Sequence, residues 1–326
     1  MTVRLLSRAM MCGFAALVMS SASQAQNWRM ATGFSDSVFH TQNIQQFAAD
    51  IEKQTGGQLK IKVGTNSSLY KQPEIKRAVE TAQVQMGEIL LSAYGNEIPF
   101  FSADVVPYLI SGYAGAWELY QASKPVLNER FAKDGLVMLF NVPWPGAGFF
   151  STRTIDKIED LKGNKMRSAA PLTGKWTDRL GMQSTVVQVP ELAQAFSTGM
   201  VNMMFTSSPL APQMQAWDFT KYFYDLNAIH GRNAVLVNKS AFDRLAPVVQ
   251  KAVLSAAEAA EKRGWEMSRS SDRDYKKQML EKGMQILTVR PEIEKFLQQE
   301  ARVIARDWAA ALPANERAVL EPFISR

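Results

Sequence analysis

Cysteine is nearly absent from this 326-residue chain, with Cys12 as the single copy. Once the first dozen residues are set aside, nothing remains to form a disulfide or to act as a thiol nucleophile. Histidine is almost as scarce. His40 and His230 lie far apart, without a serine or carboxylate arranged for a triad. Asp36 and His40 read as loop and helix-cap residues rather than as a dyad. Phosphate-cradling glycine loops, His-rich metal spacings and paired-cysteine motifs are also missing. These absences disfavour a hydrolase or lyase, and no cofactor or metal is expected.

No apolar run is long enough to cross a membrane; the longest, Ala9 to Ser20, falls well short. Preceded by Arg4 and Arg8 and followed by Ser23-Gln24-Ala25, it reads as a secretory signal cleaved after Ala25. Export into the periplasm follows, with Cys12 removed. The loss of Arg4 and Arg8 takes the formal charge from +6 to +4. Basic residues are scattered among acids, as in Lys60-Ile61-Lys62, Lys76-Arg77 and Arg269 to Lys277. A nucleic-acid partner is not expected, because such binders concentrate charge on one face or arm.

What is present is an α/β alternation. Trp28 to Thr32 reads as a strand. A helix follows from about Thr41 to Gln54, with Ile44, Phe47 and Ile51 on one face and Gly56-Gly57 as its stop. Leu59, Ile61 and Val63 alternate as a half-buried strand, Pro73 opens a helix, and Gly87 to Leu91 forms another strand. A helix around Ala114 to Phe131 and a strand from Leu136 to Val142 close this half. Trp144-Pro145-Gly146 is a crossing segment into a second half of the same kind.

In that second half, Lys165 to Ala169 reads as a strand carrying Arg167. The next strand is Ser184 to Val189, then a helix from Pro190 to about Gly199. A third strand, Val201 to Phe205, ends in Thr206-Ser207-Ser208. Such alternation builds a parallel sheet whose ligands sit beyond the carboxyl ends of the strands. Arg167 and the hydroxyls of Thr206 and Ser207 fall at those ends, a set suited to a small carboxylate; Ser208 is read as a cap of the next segment. From about Pro247 to Lys282 no internal proline interrupts a helical pattern with Val249, Val253, Ala256, Ala257 and Ala260 on one side. About 35 residues give roughly 50 Å, the length of two lobes, and Gly264 is expected to mark a bend. The expected division is residues 26–144 with about 235–272 as lobe I, and 145–234 with about 273–326 as lobe II.

Asp160-Leu161-Lys162-Gly163 with Lys165-Met166-Arg167, and Glu191 through Gly199, are the most specific pieces of a wider likeness. Gly56-Gly57-Gln58-Leu59 and Leu236-Val237-Asn238-Lys239 accompany them. In order and spacing the chain resembles the DctP-like solute-binding proteins of tripartite ATP-independent periplasmic (TRAP) transporters. The resemblance implies a two-lobe periplasmic binding protein fold with a long helix across both lobes. It also implies closure on an organic acid and delivery to TRAP membrane permease subunits driven by an ion gradient. Arg167 matches the family arginine that pairs with the ligand carboxylate, and a guanidinium fork suits that task.

Two departures narrow the ligand. Gly146-Ala147-Gly148 stands where sialic-acid-binding relatives carry a second arginine, and Asn202-Met203-Met204-Phe205-Thr206 replaces an acidic family motif. A small monocarboxylate is therefore expected; the Trp144-Pro145 and Ser207-Ser208 pattern resembles the subgroup of receptors for small organic acids, which implies pyroglutamate first and 2-oxo acids next. Trp144, Phe149 and Phe150 are candidate pocket walls, with core packing as the alternative for the phenylalanines. Glu88 either accepts a ligand N–H or pairs with a lysine at the rim. Phe34 and Ser37 complete the near side. A receptor docking on a signalling partner, or one serving an ATP-driven importer, stands as the alternative.

Overall fold

A computed structural model describes residues 25–325. All of the expected leader but Ala25 lies outside them. Two sheets carry the described chain. The first contains β1 (Gln26–Ala31), β2 (Leu59–Gly64), β3 (Met86–Leu90), β4 (Leu136–Pro143) and β10 (Arg232–Asn238), in the order β2-β1-β3-β10-β4. The second contains β5 (Ala147–Ser151), β6 (Lys165–Ser168), β7 (Gln183–Val186), β8 (Met203–Ser207), β9 (Tyr222–Tyr224) and β11 (Gln285–Leu287), in the order β11-β9-β5-β8-β6-β7.

The α/β, two-lobe expectation holds, with one change: both sheets are mixed. β6 runs parallel to β7 and β8, as expected, but β5 is antiparallel to β8 and β9, and β10 is antiparallel to β3 and β4. The chain leaves the first sheet after β4 and re-enters it as β10, so the two crossings run side by side. Trp144 N donates to Gly231 O at 2.7 Å, and Ala147 N donates to Ile229 O at 3.0 Å. The antiparallel ladder thus continues through the junction between the sheets.

The helix Pro247–Glu281 spans 35 residues. Val249, Val253, Ala256, Ala257 and Ala260 pack with Phe47, Val235 and Val237 beside the first sheet. Met279, near its other end, packs with Phe150 and Phe223 beside the second. The apolar stripe is the reason the helix lies across both. Gly264, expected to mark a bend, stands in close packing: a Cβ there would lie 2.5 Å from Val142 Cγ2 and 2.7 Å from Asn43 Nδ2. The chain's end also differs from its expected place with lobe II. Leu320 and Phe323, on the helix Ala314–Ile324, join Leu127 and Phe131 beside the first sheet.

Candidate functional site

Between the sheets lies a cleft of about 390 Å³. β6 and β8 are parallel neighbours, with Arg167 opposite Met204, so their carboxyl ends meet on the same edge. Alternation along these strands sends Met166, Met203 and Phe205 toward one apolar cluster that includes Trp176. The ends of β6 and β8 deliver Arg167, Thr206 and Ser207 to the cleft.

Arg167 is 3% exposed. Its Nε donates to Val187 O at 2.9 Å, while Nη1 is buried without a protein partner. No carboxylate among the described residues forms an ion pair with it, and burial pushes its pKa down to about 10. It is still a cation at neutral pH. An unpaired buried guanidinium is costly, and an anion in the cleft removes that cost.

Phe34 and Trp144 form the apolar wall, with ring centroids 5.0 Å apart. Trp144 is held from behind: its indole N–H donates to Asn233 Oδ1 at 2.9 Å, and the His40 ring lies 4.2 Å away. Gly148 explains why no arginine stands before Phe149. A Cβ at Gly148 would fall 2.0 Å from Tyr224 O, so the antiparallel pairing of β5 and β9 leaves no room for a side chain. Only the small Ala147 of that segment's last two residues reaches the cleft.

Four sequence-derived candidates, Phe149, Phe150, Glu88 and Ser37, lie elsewhere. Phe150 is fully buried, does not line the cleft, and packs on Phe223 with centroids 4.4 Å apart. Phe149, its neighbour, belongs to the core with Trp176. Glu88 is neither a cleft residue nor a lysine-paired rim residue. It is buried on β3, accepts from Thr32 Oγ1 at 2.6 Å, and lies 3.5 Å from His40 Nδ1. Ser37 is exposed; its hydroxyl meets Ser35 Oγ at 2.9 Å and its carbonyl accepts from Tyr275. Ser208 does not cap a local segment: its hydroxyl donates to Asp272 Oδ1 on the long helix at 2.6 Å.

The sequence reading missed Gln72, Ser92 and Thr173, which line the cleft. Gln72 opens a short 3₁₀ turn and Ser92 sits in the 3₁₀ turn after β3, so neither carries a periodic signal. His40 and His230 are buried away from the cleft lining. Desolvation, the larger effect in each, lowers both pKa values. Among the described residues no group of three or more His, Cys, Asp or Glu is placed to hold a metal, and no helix is long and apolar enough to cross a membrane.

Residues 30–311 match the family DctP, bacterial extracellular solute-binding protein, family 7. The structure superposes on DctP6 of Bordetella pertussis, an extracytoplasmic solute receptor binding pyroglutamic acid. The TM-score is 0.89, identity is 38%, and coverage is 92% of this chain and 100% of that one. A marine metagenome TRAP solute-binding protein specific for pyroglutamate gives 0.89 and 30%, covering 93% and 100%. The solute-binding protein of Verminephrobacter eiseniae is 28% identical over 286 residues, 83% of this chain and 78% of the relative. That of Albidiferax ferrireducens is 28% identical over 175 residues, 52% of this chain. There the match spans about half the relative's length, 51%.

Proposed function

Because this chain belongs to the DctP family of extracellular solute-binding proteins and is a receptor rather than an enzyme, we propose that its cleft captures a small organic monocarboxylate, pyroglutamate before 2-oxo acids. The loaded protein then delivers its cargo to the membrane subunits of a TRAP permease. The observation that carries this reading is Arg167, a buried guanidinium with Nη1 unpartnered at the carboxyl edge of a sheet. Its partner in the complex is the ligand carboxylate, taken through a charge-assisted fork. Thr206 and Ser207 add hydroxyls beside it, and Phe34 and Trp144 cover the apolar body.

Several features support pyroglutamate. The segment before Phe149 offers no second cation, since Gly148 has no room for a side chain and only Ala147 reaches the cleft. Receptors at 38% and 30% identity bind that acid. The two sheets act as the lobes, 26–144 with about 235–272 and 145–234 with the later segment that carries β11, with the paired crossings as hinge and the long helix as a strut. Closure is favoured because the ligand gains contacts from both sides. The mature protein begins after Ala25 and works in the periplasm, which intact-mass measurement of exported protein tests directly.

A thermal-shift screen of the mature protein against pyroglutamate, 2-oxo acids, C4-dicarboxylates and sugar acids tests the ligand class. Ligand at 100 times its Kd adds roughly 2.7 kcal/mol to stability. The expected result is a clear shift with a monocarboxylate that vanishes in Arg167→Ala. A shift confined to sugar acids or dicarboxylates, or one retained in Arg167→Ala, overturns the assignment.

A further inference from the structure

Across the cleft from Arg167, on elements that follow β2 and β3, two polar atoms are buried without a protein partner: Gln72 Nε2 and Ser92 Oγ. Ser92 is 1% exposed. Gln72 is held in one orientation. Its Oε1 accepts from Gly33 N at 3.2 Å, and its main-chain carbonyl accepts from Tyr94 OH at 2.8 Å. What it turns to the cleft is therefore a donor alone. Ser92 can donate or accept.

We propose that Gln72 and Ser92 are specificity-determining residues that read the edge of a neutral amide on the ligand, the edge a lactam ring presents beside its carboxylate-bearing carbon. The inference rests on the carboxylate reading of Arg167 and adds the second functional group. Gln72 Nε2 donates to the amide carbonyl oxygen, and Ser92 Oγ accepts the amide N–H. Leaving two such groups buried and unpaired is costly, so a ligand that satisfies both is favoured over one that fills the same space with carbon. A 2-oxo acid has a carbonyl but no N–H, so it leaves Ser92 Oγ without a donor and the pair only half met.

The absence of a buried acid at this wall selects an amide over an ammonium. Glu88, which would neutralise an amino group here, is turned away to Thr32 and His40. The carboxylates that do line the cleft, Glu74 and Glu191, are exposed, and Glu74 already accepts from Lys71 N at 3.0 Å. A lactam acid satisfies the wall; the corresponding amino acid brings a charge that finds no buried partner.

Calorimetric titration with pyroglutamate and with cyclopentanecarboxylate, the same ring size without the lactam, tests this. The readout is the ratio of the two affinities in the wild type, Ser92→Ala, Gln72→Glu and Arg167→Ala. Gln72→Glu keeps the acceptor for Gly33 N but replaces the donor. The wild type is expected to prefer pyroglutamate by about a hundredfold or more, and each wall variant to lower that ratio about tenfold or more. A general loss of structure lowers both affinities and leaves the ratio alone. An unchanged ratio in both wall variants, with both ligands lost in Arg167→Ala, overturns this inference and spares the carboxylate site. Full binding in Arg167→Ala overturns the underlying reading instead, and a wild type that binds neither acid overturns both.

Discussion

Arg167 is tied to Val187 by a single hydrogen bond, from Nε to the main-chain carbonyl at 2.9 Å. The bond fixes the plane of the guanidinium and leaves Nη1 buried but unpaired. β6 and β7 pair in parallel up to Ser168 and Val186, so the carbonyl that holds the arginine belongs to the residue just beyond the ladder. The tether and the unpaired nitrogen together make a pre-oriented fork, which reduces the ordering cost of binding.

Removing this side chain therefore separates affinity from stability. Arg167→Ala is expected to weaken binding by about two orders of magnitude or more, in line with ~2–5 kcal/mol for a buried charge-assisted pair. The ligand-free protein should not become less stable, because an unpaired buried cation is removed. Calorimetric titration and the ligand-free melting temperature check the two halves; a large drop in the latter would count against the unpaired-cation picture.

Phe150 is expected to behave as core. Phe150→Leu should lower the unfolding free energy by about 1 kcal/mol while leaving the affinity of the folded protein within twofold. Trp144→Leu, which strips the cleft wall, should do the reverse in emphasis, with affinity falling more than stability. Urea unfolding and titration of both variants decide between these roles.

Gly264→Ala tests whether the long helix needs its glycine for flexibility or for contact. Alanine improves helix propensity by about 1 kcal/mol, yet its Cβ would press on Val142 Cγ2 at 2.5 Å. The expected net effect is a loss of about 1–3 kcal/mol by overpacking. A stabilised variant would restore the bend reading.

Lys276 on the long helix reaches Asp225 Oδ2 at 2.6 Å and Asp272 Oδ2 at 2.8 Å. Asp225 lies on one crossing, and Asp272 accepts from Ser208 at the end of β8. Lys276→Met should lower stability by about 1.5–3 kcal/mol, the range for hydrogen bonds to charged groups. It should also alter ligand off-rates, because the crossing, the helix and the strand that carries Thr206 lose their common tie. Stopped-flow dissociation measures this, and an unchanged off-rate would limit Lys276 to stability.

Acidification should destabilise the protein through its two buried histidines. Both have pKa values below the ordinary 6.5, chiefly by desolvation. The unfolded chain therefore binds more protons just below pH 6.5 than the folded one does. Their contribution is complete above pH 6.5 and is lost as pH falls through and below that value. Asp104 acts in the opposite sense, since burial raises its pKa to about 6 against the pull of Arg232. Its proton uptake favours the folded state as pH falls from about 6 toward 4. Melting temperatures from pH 7.5 to 5.5 should fall less steeply in His230→Asn than in the wild type. Parallel slopes would assign the acid sensitivity elsewhere.

How much of this was legible in the sequence differs by element. Arg167, Thr206 and Ser207 could be placed because each ends a strand, and strand direction alone determines which edge of a parallel pair a residue reaches. The long helix could be placed because its small apolar stripe runs uninterrupted. Glu88 could not be placed: an acid opening an apolar strand has the same local pattern whether it faces a cleft or, as here, a buried histidine and threonine. Phe149 and Phe150 are adjacent on β5, and only their packing, on Trp176 of the helix Pro171–Arg179 and on Phe223 of β9, shows that neither reaches the cleft. Gln72 and Ser92 lie in short 3₁₀ turns and have no period to read.

By itself, then, the sequence determined the α/β alternation, the long spanning helix and the cation at a strand end, because propensity, period and strand polarity are local properties. The tertiary structure alone decided which polar groups face the cleft and which are satisfied within the protein. Hydrogen-bond satisfaction depends on partners such as Gly33 for Gln72, 39 residues apart, and Thr32 for Glu88, 56 apart. No periodicity encodes those meetings; they follow from how the sheets and their crossings pack.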